Sequence, residues 1–345
     1  MTPNPLVPPQ LPAPVRLRQW LRRNLFDGWF NSGLTVVLAL LLGWAFTALM
    51  GWILGPANWD VVTENLRLFL VGRYPVEQTW RLWTVGAIAL VPVFLWSPAG
   101  RGRLRPLRGI SLAISGGMSL WLIAGGLRLP PVPTNLWGGL LLTLVVALSS
   151  TVLAFPLGVL LALGRQSPLP VLRGFCTTYI ELIRGLPLIG ILFMAQVMLP
   201  LVLPGQPNLD RIVRAIAGLV LFNAAYLAES VRGGLQAIPR GQTEAAKALG
   251  FNVPLTLWLI ILPQALRIAS AAIVGQFISL FKDTSLLALF ALLELTGIAR
   301  SVLAQPEFLG NYAEVYLWIG LIYWSLCYGL SKISQRLESR RRPVR

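Results

Sequence analysis

"GQTEAAKALGFNVPLTLWLIILPQA" covers residues 241–265, a polar, alanine-rich interruption in a chain that is otherwise mostly apolar. Gln242–Leu249 reads as a short helix. Glu244 in its first turn and Lys247 near its end suit the helix dipole and stand one turn apart, where an ion pair is possible. Gly250 is a good stop because glycine accepts a left-handed backbone. Asn252 then reads as the N-cap of a second helix with Pro254 in its first turn. The product is two short helices joined at a glycine elbow. Ala245 and Ala246 offer a low surface that lets another backbone come close. "TLWLIILP" turns back into apolar sequence, and Pro263 is expected to break that helix. From the residues alone, the segment is either an amphipathic connecting loop or a docking surface.

What surrounds the segment decides the fold class. The chain has 345 residues, 55% hydrophobic and only 12% charged. That is too apolar for a soluble domain. Residues 33–54, "GLTVVLALLLGWAFTALMGWIL", carry no charge and exceed the ~20 apolar residues a bilayer-crossing helix needs. Eight such spans are expected, near 33–54, 82–97, 109–126, 137–163, 178–203, 212–231, 264–299 and 314–331. They must be helical, because hydrocarbon offers the backbone no partners. The expected class is therefore all-α, a polytopic membrane protein.

The net charge of +16 could suggest nucleic acid, but its placement argues otherwise. Arg16, Arg18, Arg22 and Arg23 precede the first span, and Arg101, Arg103, Arg105 and Arg108 follow the second. Arg165 and Arg173 follow the fourth; Lys332, Arg336, Arg340, Arg341, Arg342 and Arg345 follow the last. These are alternate loops, as the positive-inside rule requires, and both termini are then cytoplasmic. A nucleic-acid binder would gather its charge on one soluble face. The proline-rich start, "MTPNPLVPPQLPAP", is expected to be disordered and is not a signal peptide. Most of the 13 tryptophans read as interfacial anchors, among them Trp20, Trp29, Trp80 and Trp137.

Composition also excludes chemistries. The chain has no histidine, so a His-based triad or zinc site is ruled out. No Gly-Lys dipeptide occurs, so there is no Walker A loop. Cys176 and Cys327 are the only cysteines and suggest neither a disulfide nor a metal site. No nucleophile–base set stands out, so an enzyme is not expected.

One pattern carries a resemblance. Glu-Ala-Ala, three residues, Gly, nine residues, Ile, one residue, Leu-Pro is met by Glu244, Ala245, Ala246, Gly250, Ile260, Leu262 and Pro263. This resembles the coupling loop of membrane subunits of ABC importers. "AYLAESVRGGLQAIPRGQTEAAKALG" (225–250), "LPQALR" (262–267), "FKDTSL" (281–286) and "YIELIRGLPLIGILFMAQVMLP" (179–200) look like the polar amino-acid permease branch. The nearest likeness is the M-type subunit of general L-amino-acid permeases, which carries extra N-terminal spans.

The resemblance implies a type I ABC importer permease core over residues 131–335, with its coupling loop at 232–262. It implies additional transmembrane helices over 31–130, a cytoplasmic proline- and arginine-rich tail over 1–30, and a basic tail over 336–345. It further implies partners. A dimer of ABC ATPase subunits receives the 241–263 segment, a second permease subunit (a related chain rather than a second copy) pairs in the bilayer, and a soluble amino-acid-binding protein delivers substrate. No cofactor is bound directly; ATP and Mg sit on the ATPase. The location implied is the bacterial inner membrane.

Charges inside spans are costly and mark function by default. Residues 264–299 are too long for one crossing, at about 54 Å if straight, so a break is expected at Lys282, Asp283, Thr284 and Ser285. An unwound backbone lining a cavity is a recurring transporter device, and a zwitterion needs one cation and one anion. These four residues are the candidate substrate path, with a structural ion pair as the alternative. Glu181 and Arg184, one turn apart, are the candidate inner gate or local ion pair; Glu229 and Arg232 read as a packing pair. A secondary transporter with its own coupling ion and a membrane scaffold are the other two function classes.

Overall fold

The computed structural model describes residues 13–96, 107–202 and 209–339. The amino-terminal prolines up to Pro12, Arg101, Arg103 and Arg105, and the final basic residues from Arg340 lie outside them. Among the described residues the fold is all-α, with only isolated bridges such as Gly139 to Glu294. The chain forms two units, residues 1–59 and 60–345.

The first unit holds α1 (Ala13–Asn24) and α2 (Trp29–Leu54). Part of the stretch expected to be tail is therefore helical. No residue of α2 is buried, and its sequence is apolar throughout.

The second unit begins with the short helices α3 (Asp60–Glu64) and α4 (Leu66–Val71), followed by α5 (Trp80–Trp96) and α6 (Leu107–Ala124), which pack together. Then come α7 (Gly139–Arg165), α8 (Pro170–Gly185), α9 (Leu188–Val202) and α10 (Arg211–Gln236). The chain continues through α11 (Arg240–Ala248), α12 (Val253–Ile268), α13 (Ser270–Asp283), α14 (Leu295–Leu303) and α15 (Tyr312–Ser339).

The most extensive helix contact is between α7 and α10. A Cβ at Gly158 would lie 2.7 Å from Leu227 Cβ and 3.0 Å from Ala224 O, so only glycine allows this approach. Small residues at a crossing are how membrane helices gain van der Waals contact, since lipid tails are as apolar as leucine. Around it Ala154, Val159, Ile180, Leu227, Val231, Leu262 and Ala265 form one core. A second, nearer the start of α7, joins Tyr74, Ile123, Val146, Leu192, Leu219 and Leu287.

Among the described residues, five helical stretches are long and apolar enough to cross a bilayer: α2, α7, α10, Ser270–Phe290 and Tyr312–Gln335. The bent pair α8–α9 passes the same test only when its two helices are taken together, as a broken span or a re-entrant loop. The second and third spans of the expected eight fall on α5 and α6, which border the undescribed residues 97–106.

Three expectations are corrected. Residues 178–203 are not one straight span, because α8 and α9 meet at 104°. Leu186 precedes Pro187 and is extended (φ −97°, ψ 143°), and proline disfavours helix in the residue before it. Pro263 does not end its helix. The backbone widens to a π-turn over Thr256–Ile261 and continues to Ile268, shifting the hydrogen-bond register ahead of the residue that lacks an N–H. Residues 264–299 do break at the expected place, where α13 ends at Asp283, but they are not a single span. After Asp283 a 3-10 stretch runs Thr284–Phe290, Ala291 turns left-handed (φ 54°), and α14 packs against α7 and α15.

Candidate functional site

The elbow is built from local rules. Gly250 has φ +81°, its N–H donates to Lys247 O at 2.9 Å, and Phe251 N–H donates to Ala246 O at 3.0 Å. This pair of bonds is the Schellman stop, satisfying carbonyls the helix leaves open. Asn252 Oδ1 accepts from Leu255 N–H at 3.0 Å, and Pro254 stands in the first turn of α12. Glu244 and Lys247 form no ion pair within 4 Å, so both charges are exposed on α11.

The motif divides by burial. Glu244, Ala245, Gly250 and Pro263 are exposed, while Ile260 is half-buried. Ala246 and Leu262 are buried. Ala246 is thus not part of an outer smooth surface; it seats α11 on the wide turn of α12. Gln264 Nε2 donates to Gln242 Oε1 at 3.2 Å, tying the two helices together. Leu249 and Val253, flanking the elbow, are 76% and 73% exposed. Large apolar side chains held out by a rigid turn are what a docking surface presents.

Just above the elbow lies an ion-pair cluster that rearranges the expected pairs. Glu181 does not bond Arg184. It accepts from Arg165 Nη2, at the end of α7, at 2.7 Å. Arg184 instead approaches Glu229 at 3.7 Å and lies over the Tyr226 ring. Glu229 also meets Arg165 at 3.5 Å and is bonded by Arg232. The expected Glu229–Arg232 pair is therefore present, inside a larger network of three arginines and two glutamates. Sequence spacing shows only contacts one turn apart on one helix; the ends of α7, α8 and α10 converge only in the fold. Arg165 counted merely as a loop charge in the sequence, and its place at a helix end was the available signal.

Lys282 is exposed, Asp283 and Ser285 are half-buried, and Thr284 is buried. Among the described residues neither Lys282 nor Asp283 forms an ion pair within 4 Å. The structural-pair alternative thus has no partner here. Thr284 Oγ1 donates to Phe281 O at 2.7 Å, holding the end of α13.

Polar groups that sequence reasoning missed lie in the same region. Glu294 is fully buried and caps α14, accepting from Thr296 and Gly297 N–H at 2.8 and 2.9 Å and from Tyr323 Oη at 3.2 Å. A carboxylate within an apolar stretch was the signal. Buried Asn223 accepts from Gln276 Nε2 at 2.8 Å, linking α10 to α13. A cavity of about 310 Å³ is lined by Gln196, Arg211 and Phe290 with three apolar neighbours, not by Lys282 or Asp283.

Known proteins share this chain's pattern. A family model described as a binding-protein-dependent transport system inner membrane component matches residues 154–343. The chain is 39% identical to the inner membrane amino-acid ABC transporter permease protein YhdY of Escherichia coli (strain K12), over 94% of this chain and 93% of that one. It is 35% identical to the glutamate/glutamine/aspartate/asparagine transport system permease protein BztC of Rhodobacter capsulatus, over 95% of each. Against the probable glutamine ABC transporter permease protein GlnP of Bacillus subtilis it is 39% identical, over 59% of this chain and 93% of that one. A solved structure described as a crystal structure of an amino acid ABC transporter with histidines superposes with a TM-score of 0.53 and 28% identity, covering 59% of this chain and 92% of that one.

Proposed function

Because the chain belongs to the family of binding-protein-dependent transport system inner membrane components, we propose that it is the permease subunit of an ATP-driven amino-acid importer. The observation that carries the reading is the elbow at 240–263. A rigid, doubly capped helix pair holds charged Glu244 and Lys247 and apolar Leu249 and Val253 outward, on a chain with no phosphate-binding loop of its own. Such a surface suits a partner that hydrolyses ATP with Mg and pulls on the permease. The partners are then a dimer of ATPase subunits, a soluble amino-acid-binding protein, and a second, related permease chain. Names of relatives that match nearly the whole chain support the amino-acid class.

The substrate path is proposed to include Lys282, Asp283, Thr284 and Ser285, where α13 ends and the backbone tightens. Two opposite, unpaired charges there match the two ends of a zwitterion. Glu181 and Arg184 act as parts of the wider cluster with Arg165, Glu229 and Arg232, which joins α7 and α8 to the end of α10 immediately before the elbow. On this reading the chain lies in the bacterial inner membrane with both termini cytoplasmic, which the alternating arginines of the sequence support. The test is reconstitution with candidate ATPase and binding proteins in proteoliposomes. Amino acids presented with the binding protein should stimulate ATP hydrolysis and be taken up; ATPase activity indifferent to this chain would reject the reading.

A further inference from the structure

The first unit carries a feature that transport does not call on. α1 ends at Asn24, four residues turn, and α2 starts at Trp29. The turn is tied from within. Thr35 Oγ1 donates to Leu25 O at 2.7 Å, Asn31 Nδ2 to Asp27 O at 2.9 Å, and Ser32 Oγ to Gly28 O at 2.8 Å. Side chains from the first two turns of α2 thereby hold the carbonyls of the turn, and no arginine is used in doing so.

Gln19, Arg22, Arg23, Phe26, Asp27 and Gly28 line an open cavity of about 540 Å³ in this elbow. Arg22 and Arg23 are exposed and form no ion pair among the described residues. Asp27 is the single acid facing them, so the cavity keeps a net positive charge. The whole of α1 has four arginines and no acid. In helical register Trp20 and Leu21 share one face, and Gln19, Arg22 and Arg23 fall on the other.

The position of the elbow follows from α2. A 26-residue apolar helix with no buried residue requires hydrocarbon around it, so its first turn lies at the edge of the bilayer. A basic amphipathic helix leading into that point lies along the interface, apolar face inward and arginines among the headgroups. Trp20 and Trp29, 55% and 88% exposed, suit that depth. Guanidinium binds phosphate through paired, planar donors.

We propose that the α1–α2 elbow is a binding site for an anionic phospholipid headgroup, with Arg22 and Arg23 meeting its phosphate and Gln19 beside them. The occupant is a lipid rather than a soluble phosphate, because the cavity opens beside Phe26 at the start of a lipid-embedded helix. The site is independent of the coupling reading.

The test places a photoreactive benzoylphenylalanine at position 26 of the full chain. The chain is reconstituted in nanodiscs of equal phosphatidylglycerol and phosphatidylethanolamine, and cross-linked peptides are analysed by mass spectrometry. Phosphatidylglycerol should be captured in preference on the order of tenfold. The preference should fall sharply in Arg22→Gln/Arg23→Gln, return in part with Arg22→Lys/Arg23→Lys, and withstand excess inorganic phosphate. Equal capture of both lipids by the unsubstituted chain would overturn the proposal without reference to any variant. So would an unchanged preference in the glutamine variant, or displacement by inorganic phosphate, which would mark a soluble-anion site. Capture of nucleic acid or a protein in place of lipid in native membranes would reject it as well.

Discussion

Glu229 holds three arginines from three helix ends, and no other carboxylate in the cluster reaches more than one. Removing its charge leaves Arg184 and Arg232 without an acid within 4 Å and brings like charges together. Glu229→Gln should cost about 1–2 kcal/mol, less than a dry pair because the side chain is partly solvated. The purified chain should melt a few degrees lower in detergent, and ATP hydrolysis in the complex should become less responsive to substrate. Glu181→Gln should do less, because its side chain is 57% exposed and it touches only Arg165. Asp283 calls for a different readout. Asp283→Asn keeps the shape and removes the charge, so uptake should fall several-fold while assembly and basal ATP hydrolysis persist. Loss of the assembled complex instead would show that the carboxylate is structural.

At the scale of the element, the glycine elbow is the decisive piece. Nothing lies within 4 Å of a Cβ built on Gly250, so any effect of a side chain there comes from backbone strain and not from a clash. A left-handed φ costs an ordinary residue about 1–2 kcal/mol and a β-branched one more. Gly250→Val should therefore insert normally yet reduce recovery of the ATPase in pull-down and lower uptake. Gly250→Asn should be nearly neutral, because asparagine tolerates this conformation. Glu244→Lys should uncouple by another route, because it reverses an exposed charge in the middle of α11 that a docked partner would meet. Normal pull-down and uptake in both Gly250→Val and Glu244→Lys would make the segment a mere connector. The π-turn before Pro263 belongs to this scale too. It lets a proline stay inside a helix, so the spacing from Asn252 to Pro263 is held by one continuous helix.

For the whole molecule, the prediction concerns sidedness. Cysteines introduced near positions 104 and 340, in a Cys176→Ala/Cys327→Ala background, should be protected from impermeant thiol reagents applied outside and react once the membrane is opened. Outside labelling of either would overturn the alternation of spans. YhdY and BztC match 94% and 95% of the chain, but GlnP matches 59% while covering 93% of itself. Some relatives therefore match nearly the whole chain and others only part of it.

Much of this protein is determined by the sequence alone, because the determinants are local. A bilayer forces any long apolar run into a helix, so composition settles the all-α class without knowledge of neighbours. The elbow is equally legible: Gly250, Asn252 and Pro254 act within one turn of themselves, through backbone sterics and short hydrogen bonds. Tertiary structure decided what depends on distance in space. Sequence spacing pairs Glu181 with Arg184, but three helix ends converge and give Glu181 to Arg165. Ala246 reads as surface until α11 folds back onto α12. Glu294 looks like a stray charge until α14 places it under its own amides and beside Tyr323. An isolated helix exposes every residue it has. Which charges pair, and which small residues are covered, is set only when helices far apart in the chain pack, as α7 and α10 do through Gly158.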